Sequence, residues 1–143
     1  MLDLAAEGRF EASPPELGER EIETLQAMKT GALLHFGCIA GAILGKGNRV
    51  QWSAVDHYGA AIGAAFQIAD DLLDLEGDPA TVGKATGKDA AAGKATLVAV
   101  LGPAAARHRL SALVAQAQKA LDPFGSDADV LRAAARFVAT RQA

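Results

Sequence analysis

Residues 63–74 read GAAFQIADDLLD, and this stretch places a polar stripe on a helix. At 3.6 residues per turn, one helix face collects the residues spaced three and four apart, namely Gly63, Phe66, Gln67, Asp70 and Asp74. A helix that packs on a core would present apolar side chains on such a face. The stripe therefore indicates a functional surface, and a solvated acidic helix end is the alternative interpretation.

Asp71 lies beside this stripe, so three carboxylates come close together in the sequence. Like charges repel one another, and burying them without a partner is costly. A hard divalent cation with oxygen ligands relieves the repulsion, and Mg²⁺ suits one or two carboxylates combined with the phosphates of a substrate. We expect Asp70, Asp71 and Asp74 to hold Mg²⁺, with Mn²⁺ as an alternative cation.

Lysines beside glycines follow the stripe, in GKATGKD at 83–89 and GKAT at 93–96, and Lys29-Thr30 stands upstream. Glycine lets the backbone approach an anion closely, and each lysine adds a mobile ammonium donor. Carboxylates for a metal together with several lysines predict a site for a polyanion such as diphosphate. The spacings fit neither a phosphate loop nor an EF-hand, because the required Ser or Thr and the terminal ligands are missing.

Composition and periodicity predict an all-α fold. Alanine accounts for 33 of 143 residues, half of the chain is apolar, and no alternation is long enough for a strand. Helices are expected at about 19–44, 50–75, 103–121 and 126–140, the last capped by Ser126 with Asp129. The length suits a single domain, residues 1–143.

The apolar stretch Gly31–Gly45 is predicted to be a helix that is buried on most sides. It is too short to cross a bilayer, which takes about 20 residues, so no membrane span is expected. Gly37, Gly41 and Gly45 recur at every fourth position, a spacing that would let a neighbouring backbone approach closely.

Charge and cysteine content exclude some classes of protein. The net charge of −3 divides into −8 over residues 1–78 and +5 over residues 79–143, and this balance argues against a general nucleic-acid binder. The single cysteine, Cys38, cannot form an intramolecular disulfide, so nothing points to an oxidising compartment. We expect a cytoplasmic protein.

The ordered motifs resemble those of trans-isoprenyl diphosphate synthases, with the bacterial farnesyl diphosphate synthase group as the best match. The motifs are FQIADDLLD at 66–74, the later Gly-Lys pairs, and KTGAL at 29–33. The resemblance implies an all-α fold around a deep cavity, and a homodimer. It also implies Mg²⁺-assisted, head-to-tail condensation of an allylic diphosphate with isopentenyl diphosphate, to farnesyl or geranylgeranyl diphosphate.

The same resemblance implies a role for individual residues. Asp70 matches the main magnesium ligand of the second aspartate-rich motif, which Asp71 and Asp74 complete. Phe66 matches the ring beside the isopentenyl substrate. The positions that match the allylic diphosphate site are Lys29, Thr30, Gln67, Lys84 and Lys94. Of these, Lys29, Thr30 and Gln67 join Asp70 as the predicted catalytic residues.

The sequence departs from the family by lacking the first aspartate-rich motif and the upstream positions that hold isopentenyl diphosphate. We therefore expect residues 1–143 to be the C-terminal half of such an enzyme, inactive alone, that forms a homodimer or pairs with the missing N-terminal half. One alternative is a non-catalytic helical partner with an assembly or regulatory role. Another is a metal-binding helical bundle of unrelated ancestry.

Overall fold

A computed structural model describes residues 17–76 and 96–141, and every regular element in these two ranges is helical. The elements are α1 (Glu19–Gln26), a π-helical turn (Ala27–Gly31), α2 (Ala32–Leu44), α3 (Arg49–Glu76), α4 (Leu97–Leu101), α5 (Pro103–Ala120), a 3₁₀ segment (Asp122–Ala128) and α6 (Asp129–Thr140). The all-α prediction is confirmed.

The long helix α3 is the centre of the molecule. It begins beyond Asn48, whose side-chain oxygen accepts hydrogen bonds from the backbone N–H groups of Val50 and Gln51 at 2.9 and 3.0 Å. Asparagine at this position satisfies N–H groups that have no partner within the helix. With 28 residues, α3 is about 42 Å long at 1.5 Å per residue. The predicted bounds of 50–75 are correct to within one residue.

The hydrophobic core lies along α3, between it and α5, with contributions from α1, α4 and α6. Buried α3 residues recur at spacings of three and four, and they include Tyr58, Ala61, Ile62, Ala65, Ile68, Ala69 and Leu72. Alanine alternates with larger side chains here, so α5 packs close to α3. Part of the abundant alanine of the sequence is therefore used at this helix interface.

The helix predicted within 31–45 is present as α2, but the prediction that it is buried on most sides is wrong, because none of its residues is buried. Leu33, Phe36 and Leu44 are 70%, 68% and 83% exposed. A Cβ added to Gly37 or Gly41 would meet nothing within 4 Å, so these glycines admit no neighbouring backbone. The physical reason is that α2 is apolar all round, whereas the described part of the chain covers only one of its sides.

The close backbone approach lies instead where α2 meets α3. A Cβ on Gly59 would be 2.8 Å from Cδ2 of His35 and 3.2 Å from Cβ of Cys38. Nε2 of His35 lies 2.7 Å from Oδ1 of Asp56, so the only polar residue in the α2 stretch pairs with α3. The glycines that bring helices together are therefore on α3.

The cap predicted for the last helix is also wrong. Ala128 occupies the N-cap of α6 without a side-chain hydrogen bond, and Ser126 lies inside the 3₁₀ segment. Arg132 organises this corner, because its guanidinium donates to the carbonyls of Leu121 and Gly125. The corner therefore depends on a side chain from within α6 rather than on a residue before it.

The helix α6 runs parallel to α3 and contacts it at two places. Near the start of α6, the hydroxyl of Tyr58 donates to the carbonyl of Leu131 at 3.0 Å. Directly after its end, Arg141 lies 3.5 Å from Asp70. The lower-numbered residue of α3 contacts the lower-numbered residue near α6, and the higher-numbered residues contact each other. The two helices therefore run in the same direction.

Among the described residues, one helical run, Glu19–Leu44, is long and apolar enough to cross a membrane by length and composition. Apolar core helices of soluble proteins pass the same test, so this is weak support for a span. Hardly any of the run's most apolar part is buried in this structure.

Candidate functional site

The polar stripe predicted from the sequence lies on α3 at the boundary between core and solvent. Phe66, Gln67 and Asp70 are each half-buried, and the carboxylate of Asp70 is 47% exposed. Residues 66 and 70 are one turn apart, so they share a helix face. This part of α3 can therefore present an aromatic ring, an amide and a carboxylate together.

Asp71 and Asp74 lie on the inner side of the same turns, only 7% and 8% exposed. Oδ2 of Asp71 accepts a hydrogen bond of 2.8 Å from Nε2 of Gln26, at the end of α1. Buried carboxylates need such partners, because desolvation of an unpaired charge is costly. Asp71 therefore joins α1 to α3, a role that the sequence did not reveal because Gln26 is 45 residues away.

Lys29 and Thr30 lie in the π-helical turn that interrupts the helix predicted at 19–44. Lys29 departs from helical backbone angles, with φ −97° and ψ −114°. A π-helical turn holds an extra residue and often marks a functional site. The predicted boundaries at Glu19 and Leu44 are correct, but continuity through the middle is not.

The π-helical turn contacts α3 directly at the stripe. A Cβ on Gly63 would lie 3.0 Å from Cα of Gly31 and 3.1 Å from its carbonyl oxygen. Glycine at position 63 leaves room for this approach, because it has no Cβ. Lys29-Thr30 and the stripe, more than 30 residues apart in the sequence, are therefore brought to one place.

Arg141 is a site residue that sequence reasoning missed. Its Cζ lies 4.2 Å from the centre of the Phe66 ring, and its Nη2 lies 3.5 Å from Oδ1 of Asp70. Its side chain is 18% exposed, so the charge is mostly withdrawn from water. A lone arginine beyond the last predicted helix carried no pattern that could have drawn attention to it.

Lys84 and Lys94 lie outside the described residues, so their predicted place at the diphosphate site stays a prediction. The same holds for the roles assigned to Lys29, Thr30, Phe66 and Gln67. Within 17–76 and 96–141, no three His, Cys, Asp or Glu side chains form a group that could hold a metal ion. Asp70 lies on the outer side of α3, whereas Asp71 and Asp74 lie on its inner side.

Asp70 nevertheless fits a hard cation. Its carboxylate oxygens are the donor type that Mg²⁺ prefers, and its exposure leaves room for the waters that Mg²⁺ retains. Mg²⁺ is commonly held through one or two carboxylates, with substrate phosphates completing the shell. Asp71 and Asp74, buried behind it, add negative charge without needing to be ligands.

Comparison with known proteins identifies the family. The sequence pattern that defines the polyprenyl synthetases matches residues 1–128. The chain belongs to the polyprenyl synthetase family. This confirms the resemblance drawn from the motifs at 29–33 and 66–74.

One relative of this polyprenyl synthetase chain is a farnesyl diphosphate synthase of Geobacillus stearothermophilus, which is 36% identical over 121 residues. The match covers 85% of this chain and 41% of that protein. Geranylgeranyl pyrophosphate synthase 11 of Arabidopsis thaliana is 34% identical over 142 residues, covering 99% of this chain and 39% of that protein. The chain thus spans about two fifths of the length of these relatives.

Solved structures agree with this assignment. An apo FPP/GFPP synthase from Zymomonas mobilis superimposes with a TM-score of 0.77 at 41% identity. The match covers 97% of this polyprenyl synthetase chain and 42% of that one. The helical arrangement around α3 is therefore shared with a synthase of the family.

Proposed function

We propose that this chain forms part of a prenyltransferase that condenses an allylic diphosphate with isopentenyl diphosphate, yielding farnesyl or geranylgeranyl diphosphate. Family membership and the names of the relatives support the reaction class. One structural observation carries the proposal: the contact between Gly31 and Gly63, which sets the Lys29-Thr30 turn against the polar stripe. An unrelated helical bundle has no need to join these two segments.

The chain's own side chains suit the departure of a diphosphate. The ammonium of Lys29, the hydroxyl of Thr30 and the amide of Gln67 are donors for its oxygens. Negative charge on that group grows as the allylic bond breaks, so donors fixed beforehand lower the barrier. Lys84 and Lys94 are proposed to donate to the same group.

Asp70 is proposed to hold the divalent cation, Mg²⁺ or Mn²⁺, with Asp71 and Asp74 adding charge behind it. When bound, the cation supplies Lewis-acid stabilisation of the leaving diphosphate. Asp70 suits this role because it is the most exposed of the three carboxylates. The hydrogen bond from Gln26 to Asp71 stabilises the turn of α3 that carries Asp70.

The allylic cation that remains requires surroundings that exclude water. Phe66 contributes an aromatic, half-buried surface one turn from Asp70, where the isopentenyl group is proposed to bind. The double bond of isopentenyl diphosphate then attacks the cation, and loss of a proton gives the longer allylic product. We further propose a cytoplasmic location, in keeping with the single Cys38.

The exposed apolar side of α2 supports the proposal that the functional unit is larger than these 143 residues, either a homodimer or a pairing with another part of the synthase. The same side would serve a non-catalytic assembly role equally well. No observation favours that alternative specifically, whereas the contact between Gly31 and Gly63, next to Lys29-Thr30, favours catalysis.

The test is Mg²⁺-dependent binding of inorganic diphosphate, measured by calorimetry on the chain. We expect binding that Asp70→Asn weakens by about tenfold or more, since the substitution removes one charge from the cation site. Asp127→Asn, an exposed aspartate in the 3₁₀ segment, is the matched control and should bind like wild type. Equal binding by Asp70→Asn and wild type would contradict the proposed site.

A further inference from the structure

Arg141 holds its guanidinium between two members of the candidate site. On one side the Phe66 ring lies 4.2 Å from Cζ, and on the other Oδ1 of Asp70 lies 3.5 Å from Nη2. Arginine stacks well on aromatic rings because its guanidinium is planar and weakly hydrated. The guanidinium is therefore in contact with both the Phe66 ring and the Asp70 carboxylate.

The hydrogen bonding of this guanidinium is incomplete. Nε of Arg141 is buried and has no hydrogen-bond partner among the described residues. The contact with Asp70, at 3.5 Å, is also long for a charge-assisted hydrogen bond, which is ordinarily below 3 Å. Arg141 is thus placed as a positive charge near Asp70, without the short hydrogen bond that would hold it there.

Two cations cannot occupy the same side of one carboxylate without repulsion. A divalent cation on Asp70 would lie within a few ångströms of the guanidinium, in a region partly withdrawn from solvent. The guanidinium must then move away or gain a compensating anion. Phosphate oxygens are such an anion, because the guanidinium fork matches them in a bidentate manner.

We infer that Arg141 is a positioning residue that neutralises Asp70 before the cation binds, opposes the binding of cation alone, and favours cation that arrives with an anionic phosphate ligand. This inference rests on the proposed function, since it takes Asp70 as the cation ligand. Its consequence is a thermodynamic coupling: diphosphate raises the affinity for cation partly by giving Arg141 a new partner.

The test measures Mn²⁺ binding to the chain by electron paramagnetic resonance, with Mn²⁺ alone and with Mn²⁺ plus inorganic diphosphate. Arg141→Gln should bind Mn²⁺ alone about threefold tighter than wild type, in line with the strength of a partly exposed charge pair. The same variant should gain less affinity from added diphosphate. Arg141→Lys keeps the charge but stacks less well on the ring. Its affinity for Mn²⁺ should lie between those of wild type and Arg141→Gln.

Arg136→Gln is the matched control, because Arg136 lies on the exposed side of α6 and loses the same charge. It should bind like wild type in both conditions. Unchanged or weaker binding of Mn²⁺ alone by Arg141→Gln, with wild type binding normally, would overturn the role of Arg141 and leave the proposed function standing. If wild type binds no Mn²⁺ with or without diphosphate, both proposals are wrong.

Discussion

Gly31 and Gly63 contact each other backbone to backbone, with Cα of Gly31 only 3.0 Å from where a Cβ on Gly63 would lie. The contacted atoms are main-chain atoms, which cannot rotate away as a flexible side chain could. A methyl group at position 63 would therefore push the π-helical turn away from α3 by a few tenths of an ångström. The spacing of the Lys29-Thr30 segment from the polar stripe depends on this contact.

We predict that Gly63→Ala lowers the free energy of unfolding by about 1–3 kcal/mol, the usual cost of an overpacked contact. It should also weaken Mg²⁺-dependent diphosphate binding, because Lys29 and Thr30 move with the turn. Gly37→Ala is the control. Its added methyl group meets nothing within 4 Å, so this substitution should stabilise α2 by about 0.5–1 kcal/mol. Urea titrations of both variants measure the difference, and equal stabilities would refute the packing argument.

The hydrogen bond from Gln26 to Asp71 predicts a second effect on stability. Gln26→Met keeps the length of the side chain but removes the donor from a buried carboxylate. The loss should cost about 1.5–3 kcal/mol, the range for a hydrogen bond to a charged group. Gln116→Met, on the exposed side of α5, should change stability little. A cost at position 26 no greater than at 116 would show that the bond contributes nothing.

Tyr58 provides a prediction about pH. Burial raises the pKa of its phenol above the ordinary value, and the charge of the Cys38 thiolate adds to the rise. The unfolded chain ionises first, near pH 10. The stability contributed by Tyr58 is therefore complete below about pH 10 and lost as the pH rises through the raised folded pKa.

Tyr58 is the single tyrosine, so near-ultraviolet absorbance reports its ionisation directly. We expect the alkaline midpoint of the folded chain to lie above that of the chain unfolded in urea. The charge of Cys38 contributes to the raised pKa of Tyr58, so Cys38→Ala should bring the Tyr58 midpoint closer to the unfolded one. A folded midpoint at or below the unfolded one would contradict the burial of the hydroxyl.

We predict that the 143-residue chain alone has no measurable condensation activity. The described residues do not bring three carboxylates into one metal group, and the sequence lacks the first aspartate-rich motif that the family resemblance implies. The assay follows radiolabelled isopentenyl diphosphate into acid-labile product, with geranyl diphosphate as the allylic substrate. Mixing with the portion of the Geobacillus stearothermophilus synthase that this chain does not match should restore activity. Robust turnover without that complement would show that the missing motif is dispensable.

The sequence predicted those features that depend on local periodicity. The bounds of α3 and α5 and the stripe of Phe66, Gln67 and Asp70 follow from 3.6-residue spacing, together with the proline at the start of α5. Periodicity also predicted that Asp71 lies beside the stripe that contains Asp70. In the structure Asp70 is partly exposed and Asp71 is buried.

Features that depend on distant partners could not be predicted. Gln26 and Arg141 meet Asp71 and Asp70 across 45 and 71 residues, and nothing in their local sequence indicates a partner. The glycine spacing in α2 predicted a close contact at Gly37 and Gly41, whereas the close contacts are at Gly59 and Gly63 of α3. A row of small residues permits a close approach but does not show that a neighbour is present. The π-helical turn that contains Lys29 was likewise not predicted, and it packs against Gly63 through Gly31.

The two contacts between α6 and α3 constrain how this region can change in length. At a rise of 1.5 Å per residue, Tyr58 and Asp70 are about 18 Å apart along α3. Their partners, Leu131 and Arg141, are about 15 Å apart by the same measure. Inserting one residue within 131–141 would leave the first contact intact but rotate the guanidinium by about 100° around the helix axis. Relatives that keep both contacts are therefore expected to vary in the identity of the exposed residues of α6, while insertions and deletions are confined to other segments.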